Sequence, residues 1–141
     1  MSDDVAVAVR RLVSERAAGR CEYCLLHNDD SFTPHQIDHI PSRKHGGDSS
    51  PENLALACVR CNAWKGSDIA GYGSGAGKIV ALFHPRLDRW RDHFRLEEGV
   101  IVPLTEVGTV TIRLLRLNLH GRVTERQVLI RSGRYPRERR S

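Results

Sequence analysis

The amino-acid sequence predicts a small α+β protein in which an N-terminal helix precedes a strand–loop–strand–helix unit and a mixed α/β extension follows it. Two Cys-x-x-Cys pairs, Cys21/Cys24 and Cys58/Cys61, enclose the unit. The segment between them is rich in His, Asp, Gly and Pro, which is typical of short strands joined by an ordered loop. Apolar residues recur at helical spacing before and after it, which indicates flanking helices.

Size and charge limit the kinds of protein that this chain can be. It has 141 residues and a formal net charge of +5, and 40% of its residues are hydrophobic. A chain of this length forms one domain or a small module with an appendage, and so modest a core often needs a staple such as a metal. The positive charge favours an anionic partner, most commonly nucleic acid, over a merely solvated surface.

The beginning of the chain predicts a cytoplasmic protein. The segment MSDDVAVAVRRLV is acidic at its start and has arginines inside its apolar pattern, which is wrong for a secretory signal. No apolar run approaches the roughly 20 residues that span a bilayer. In the cytoplasm, paired cysteines are more often metal ligands than disulfides.

The first predicted element is a helix over residues 3–18. Its apolar residues share one helical face, at Val5, Val9, Leu12 and Val13. Ser2 is expected to cap the helix, and Asp3 and Asp4 suit the positive end of its dipole. Gly19 is expected to follow the C-terminal end of the helix. We interpret this helix as packing support.

The central unit is predicted to contain two strands and a helix. The strands cover residues 35–40 and 54–58, and the helix runs from Val59 to Lys65. The glycine-rich stretch 71–78 follows this unit. It lacks the first glycine and the final Ser or Thr of a phosphate-binding loop, so a flexible linker is predicted there.

The sequence therefore predicts three parts: residues 1–70, the linker 71–78 and an α+β extension over residues 79–141. In the extension, HFRLEEGVIVPL predicts a hairpin that turns at Glu98-Gly99. Thr105 is expected to cap a helix, although the β-branched run 110–112 also permits a strand. The apolar residues of that helix are Val107, Val110, Leu114 and Leu117. A last helix is predicted over residues 122–131, and the Arg-rich tail RSGRYPRERRS is expected to be mobile.

The four cysteines predict a structural zinc site. Two residues between thiolates let one tight turn present both sulfurs to one ion, and two such turns complete a tetrahedral site without an open position. A single Cys-x-x-Cys pair could be a redox pair, but here two pairs use every cysteine of the chain. Because four thiolates leave zinc no vacant coordination position, any catalysis must come from other residues.

Candidate catalytic residues lie between the cysteine pairs. Asp38 offers a hard oxygen ligand for Mg²⁺ or Mn²⁺, and His39 titrates near neutrality and suits a general base. Asn62 can offer a carbonyl oxygen to the same cation, and Asn53 can hydrogen-bond the loop that carries His39. This set suits metal-assisted hydrolysis of a phosphodiester.

Basic residues near these positions predict contacts with flanking phosphates. They are Arg43, Lys44, His45, Arg60 and Lys65. Their side chains are of the type that positions a nucleic-acid backbone without reading its sequence.

Several of these elements together resemble the HNH endonuclease motif. They are Asp38-His39-Ile40, Lys44-His45-Gly46-Gly47, the segment 53–58 and Cys61-Asn62-x-x-Lys65-Gly66. The resemblance covers about residues 19–67 and is to the subtype whose last position is Asn and whose two Cys-x-x-Cys pairs bind zinc. It implies a ββα-metal fold and metal-dependent cleavage of nucleic acid, usually DNA. It also implies that His39 is the general base, Asn53 its support, and Asp38 and Asn62 the metal ligands.

Two other functions remain open at this stage. One is a zinc-stabilised nucleic-acid-binding module without catalysis, and the other is a protein-interaction domain with a basic surface. The first of these functions does not explain why Asp38, Asn53 and Asn62 are present. On the nuclease hypothesis, Cys58→Ser is expected to unfold the motif, whereas Asp38→Ala is not.

Overall fold

Short antiparallel hairpins and helices build the fold, as the α+β prediction requires. The computed structural model describes residues 5–75 and 77–137. In chain order the elements are α1 (Val7–Arg16), β1 (Gln36–His39), β2 (Leu54–Ala57), α2 (Val59–Lys65), β3 (Ala70–Tyr72), β4 (Ile79–Ala81), α3 (Trp90–His93), β5 (Phe94–Glu97), β6 (Val100–Pro103), α4 (Glu106–Leu114) and α5 (His120–Arg131). Among the described residues no helix has the length and apolar character needed to cross a membrane.

The predicted ββα order is confirmed. β1 pairs antiparallel with β2, in a register that runs from Gln36 opposite Ala57 to His39 opposite Leu54. α2 starts two residues after β2, and the sulfur of Cys58 caps it by accepting a hydrogen bond from the backbone N–H of Cys61 (3.4 Å). The second cysteine pair therefore fixes the connection between strand and helix.

The N-terminal helix α1 packs against the hairpin. Val13 and Ala17 are buried in a small cluster with Leu54 and Leu56 of β2. The guanidinium of Arg16 donates hydrogen bonds to the carbonyls of Pro51 (3.0 Å) and Leu54 (2.7 Å), which fastens the end of α1 to the start of β2. α1 is thus a support for the hairpin.

The predicted inward face of α1 is wrong at one position. Leu12 is exposed, whereas Val9 and Val13, together with Ala17, form the packed stripe. These three residues are spaced by one turn each, so Leu12 falls at the margin of their stripe. The predicted caps Ser2, Asp3 and Asp4 lie outside the described residues, as does the end of the Arg-rich tail from residue 138 onward.

The linker predicted at 71–78 is wrong, because this stretch forms much of a hairpin. Tyr72 of β3 pairs with Ile79 of β4, and Ser74 in the connection donates a hydrogen bond to Glu106 (2.9 Å). The glycines lie in and beside the turn that connects two paired strands, and they do not form a linker between two units. The largest hydrophobic core likewise combines residues from both sides of this stretch, such as Tyr23 and Phe83.

The extension beyond β4 largely follows its prediction. β5 and β6 form a hairpin whose turn residues, Glu98 and Gly99, both have positive φ angles (49° and 88°). Thr105 caps α4 by accepting a hydrogen bond from the N–H of Gly108 (3.1 Å), so the run 110–112 is helical and not a strand. α5 starts two residues earlier than predicted, at His120.

Candidate functional site

The four cysteines meet in the core. Their sulfur atoms all lie within 4.8 Å of one another, and all four side chains are buried. Backbone N–H groups of Cys24 and Cys61 point at the sulfurs of Cys21 and Cys58, at 3.5 and 3.4 Å. Four convergent thiols held this way are the donor set of a closed structural zinc site.

Arg122 of α5 completes the surroundings of this site. Its guanidinium lies 3.0 Å from the sulfur of Cys61 and 3.8 Å from that of Cys58, and the residue is only 3% exposed. Burial opposes the guanidinium charge, but the thiolates of Cys61 and Cys24 outweigh it and raise the pKa of Arg122. Were zinc bound by the four thiolates, Arg122 would partly neutralise the net negative charge of that centre from the C-terminal extension.

The ring of Trp64 and two carbonyls hold Arg122 in place. The guanidinium lies 5.5 Å from the centre of the Trp64 ring and donates hydrogen bonds to the carbonyls of Leu115 (2.9 Å) and Arg116 (3.3 Å). Arg122 was not identified in the sequence analysis. It lies 61 positions after Cys61, and no metal-binding motif links the two positions.

Removal of this guanidinium is expected to weaken zinc retention. We expect Arg122→Met to release zinc to a chelator about ten times faster than the wild type, because partners of ligand atoms typically contribute ten- to a hundredfold in metal affinity. The measurement is absorbance of a colorimetric zinc chelator under native conditions.

Arg126→Met is the matched control for this experiment. Arg126 is also buried on α5, but its guanidinium donates to the carbonyls of Gly99 (2.6 Å) and Leu117 (2.8 Å) and to no sulfur. Equal acceleration by the two variants would show that α5 protects zinc only through general stability.

The side chain of Asp38, a residue of β1, is buried between this strand and α2. Its Oδ2 accepts a hydrogen bond from the hydroxyl of Tyr23 (2.6 Å), and its Oδ1 accepts one from the ammonium of Lys65 (3.2 Å). Asp38 and Lys65 are 3% and 1% exposed. Burial raises the pKa of Asp38, while Lys65 and the Tyr23 hydroxyl act in the opposite direction.

Asn62 lies on the same interface between β1 and α2. Its side-chain nitrogen donates a hydrogen bond to Oε1 of Gln36 (2.6 Å). Gln36 and Asp38 share one face of β1, and Asn62 and Lys65 share one face of α2, because their spacings are two and three residues. The two predicted metal ligands therefore lie along one interface, with Lys65 against the carboxylate.

His39 lies on the other face of β1. Successive residues of a strand point to opposite faces, so His39 follows Ile37, which packs toward α1. Strand β1 ends at His39, and its Nε2 is 3.0 Å from the hydroxyl of Ser49. Ser49, which also accepts a hydrogen bond from Arg43 (2.9 Å), is a site residue that the sequence did not single out.

Asn53 closes the loop between His39 and β2. Its side-chain N–H donates to the carbonyls of Pro41 (3.1 Å), near the start of that loop, and Asp48 (2.7 Å), in its second half. Gly47 lies against the same place, where an added Cβ would be 1.8 Å from the oxygen of Pro41. The loop that holds Ser49 against His39 thus depends on Asn53 and on a glycine.

The predicted phosphate contacts differ in availability. Arg43, Lys44 and His45 are exposed in a short turn of the loop after β1. Arg60 forms an ion pair with Glu125 (2.6 Å). Lys65 is buried against Asp38, so its prediction as a phosphate contact is wrong for this structure, because its helical face turns inward to β1.

Comparison with known families agrees with the ββα geometry. The HNH endonuclease family matches residues 21–68, a range that begins at the first cysteine and ends after α2. Neither the curated proteins nor the solved structures include a match to the chain. Residues 21–68 therefore form an HNH endonuclease domain whose four cysteines are positioned to bind a metal ion.

Proposed function

We propose that this protein is a metal-dependent endonuclease that hydrolyses phosphodiester bonds of DNA. The observation that carries the proposal is the position of His39, at the end of the first strand of an HNH domain and beside an exposed basic loop. The family indicates action on nucleic acid, and the net charge of +5 favours a polyanionic substrate.

His39 is proposed as the general base. Arg43 donates a hydrogen bond to the hydroxyl of Ser49, and the proton of that hydroxyl can in turn be donated to Nε2 of His39. In the tautomer that accepts this bond, Nε2 carries the lone pair that a base needs to take a proton from water. The attacking water would replace Ser49 at that nitrogen.

Asp38 and Asn62 are proposed to hold the catalytic Mg²⁺ or Mn²⁺. A carboxylate and an amide carbonyl are ligands that hard cations prefer, and both side chains belong to one interface. Lys65 must leave Oδ1 of Asp38 for a cation to bind there, because two positive charges repel each other. When bound, the ion would stabilise the negative charge of the phosphate and the leaving oxygen.

The exposed turn 43–45 is proposed to hold phosphates that flank the scissile bond. Arg43 links this turn to the base through Ser49, and Lys44 and His45 project from the same turn. Contacts of this kind position the backbone but do not read bases. We therefore expect weak sequence preference and a strong dependence of binding on salt.

A plasmid assay tests the proposed base. With Mg²⁺ or Mn²⁺, the wild type is expected to nick supercoiled DNA, and His39→Ala is expected to be slower by about 10²- to 10⁴-fold, the usual contribution of a general base. His120→Ala, which changes an exposed histidine at the start of α5, is the matched control and should cut normally. Equal cutting by His39→Ala and wild type, with zinc and fold retained, would refute the role of His39.

A zinc-stabilised nucleic-acid-binding module without catalysis is the second candidate. The closed contact of Asp38 with Lys65 and Tyr23 favours it, because this contact occupies both carboxylate oxygens. Salt-dependent DNA binding by wild type, without cleavage at any concentration of Mg²⁺ or Mn²⁺, would support this candidate over the endonuclease.

A further inference from the structure

A cavity of about 430 Å³ lies outside the proposed catalytic residues, between the end of α1, the first cysteine pair and the segment that leads into α3. Positive and aromatic side chains line it together. The arginines are Arg20, Arg86, Arg89 and Arg91, and the aromatic residues are Phe83 and Trp90. None of these residues belongs to the set that the HNH motif explains.

The acidic residues of the cavity already have partners. Glu22 pairs with Arg86, and its other oxygen accepts a hydrogen bond from the N–H of Leu56 (2.9 Å). Asp88 accepts a hydrogen bond from the N–H of His84 (2.9 Å). The charge of Glu22 is thus paired within the protein, and the four arginines of the wall outnumber its two carboxylates.

Arg89 and Arg91 supply positive charge without an internal counter-charge. Both are exposed, and in the part of the chain that the structure describes neither guanidinium has an ion pair or a hydrogen bond. Arg89 and Arg91 line the same cavity as Trp90, so the cavity offers a pair of exposed guanidinium groups and one indole. Such a pair is a good match for the oxygens of a phosphodiester.

The aromatic wall of the cavity is held rigidly. The indole N–H of Trp90 donates to the carbonyl of Tyr23 (2.9 Å), and its ring centre is 4.9 Å from that of Phe94. Phe83 is buried edge-on to Phe94 at 5.4 Å. A ring whose orientation is fixed can stack with a base at little cost in entropy, and every base has a face that stacks.

The cavity adjoins the outer edge of β2. Glu22 of its wall exchanges hydrogen bonds with Leu56, while His39 lies opposite Leu54 on the other side of the same strand. Two strand spacings and an offset of two residues along β2 separate the backbones of His39 and Glu22, which makes roughly 12 Å. A nucleic-acid strand covers that distance with about three to four nucleotides.

We propose that this cavity binds one nucleotide of the substrate strand a few positions from the scissile phosphate. Arg89 and Arg91 hold its phosphate, and the ring of Trp90 contacts its base. The inference rests on the proposed function in one respect, that the substrate is nucleic acid. It gives the C-terminal extension a role in substrate binding.

A binding experiment without cleavage tests this proposal. The probe is a fluorescein-labelled single-stranded DNA of twenty nucleotides, and every protein has the His39→Ala background. The double variant Arg89→Glu/Arg91→Glu is expected to raise Kd at least about tenfold and to reduce the slope of log Kd against log salt by about one to two. Arg95→Glu/Arg131→Glu makes the same change of net charge at two exposed positions outside the cavity and should change Kd by less than about threefold.

Tryptophan fluorescence adds a readout that charge alone does not change. The chain has 2 tryptophans, and Trp64 lies elsewhere, against Arg116 and Arg122. We expect the DNA to quench the emission, and an abasic strand of the same length to quench it much less. Equal weakening by both double variants, equal quenching by the abasic strand, or no DNA binding by the parent protein would overturn the proposal.

These results separate the inference from the proposed function. Selective weakening by the Arg89/Arg91 variant supports the nucleotide site whether or not the wild type cuts DNA. Efficient cutting by the wild type together with unchanged binding by that variant would leave the endonuclease intact and overturn the site.

Discussion

Cys58→Ser is expected to abolish zinc binding and to unfold the HNH domain. Structural zinc contributes on the order of 10 kcal/mol to folding, which is comparable to the total stability of a small domain. The cysteines lie in the same hydrophobic cluster as Leu115 and Leu117, so the loss should spread into the C-terminal extension. Zinc content by atomic emission and helical signal by circular dichroism measure the two effects.

Ala63→Ser is the matched control for this prediction. It introduces a serine hydroxyl at an exposed position of α2, the helix that Cys58 caps, and should keep one zinc per chain and a normal melting curve. Wild type treated with a strong chelator should reproduce the Cys58→Ser spectrum. A Cys58→Ser protein with the melting temperature of the wild type would contradict the structural role of the site.

The cysteine pairs and the local turns are the features that the sequence predicts well, because each depends on a few neighbouring residues. Two Cys-x-x-Cys turns present their sulfurs whatever surrounds them, and they do converge. Glu98-Gly99 turns a hairpin and Thr105 caps α4, as the local sequence indicates. The order β1, β2, α2 follows from the same short-range patterns.

The long-range contacts of charged side chains could not be predicted from the sequence. Arg122 and Lys65 both look like surface residues of polar helices, yet one faces the thiols and the other a buried carboxylate. The face of a short helix that turns inward is decided by the elements packed against it. The glycine-rich stretch 71–78 was wrongly predicted as a linker, because its flanking strands are only three residues each and give too short a pattern to recognise.

The buried ion pair also changes the expected behaviour of Asp38. The sequence suggests that Asp38→Ala leaves the fold intact, because it predicts Asp38 as a ligand of the catalytic metal and not of the structural zinc. In the structure, that change would leave the ammonium of Lys65 buried at 1% exposure without its carboxylate. Loss of one partner from such a pair typically costs about 3–5 kcal/mol.

Lys65→Met is expected to destabilise the protein by the same mechanism, by about 3–5 kcal/mol, because the carboxylate of Asp38 then stays buried without a counter-charge. Urea denaturation with zinc present measures the free energy of unfolding. Lys78→Met, at an exposed position in the β3–β4 hairpin, should change it by less than about 0.5 kcal/mol. Lys65→Met/Asp38→Asn should cost less than the sum of the two single changes, since each removes what the other leaves unpaired.

The same variant tests whether Asp38 can hold a divalent cation. If Lys65 and the catalytic ion compete for Oδ1 of Asp38, removal of the ammonium leaves the ion as the only counter-charge. Mn²⁺ should then raise the melting temperature of Lys65→Met more than that of the wild type, because an ion that binds only the folded state stabilises it. The increase should disappear in Lys65→Met/Asp38→Asn. An equal response of wild type and Lys65→Met would place the ion away from Asp38 and remove this residue from the proposed metal site.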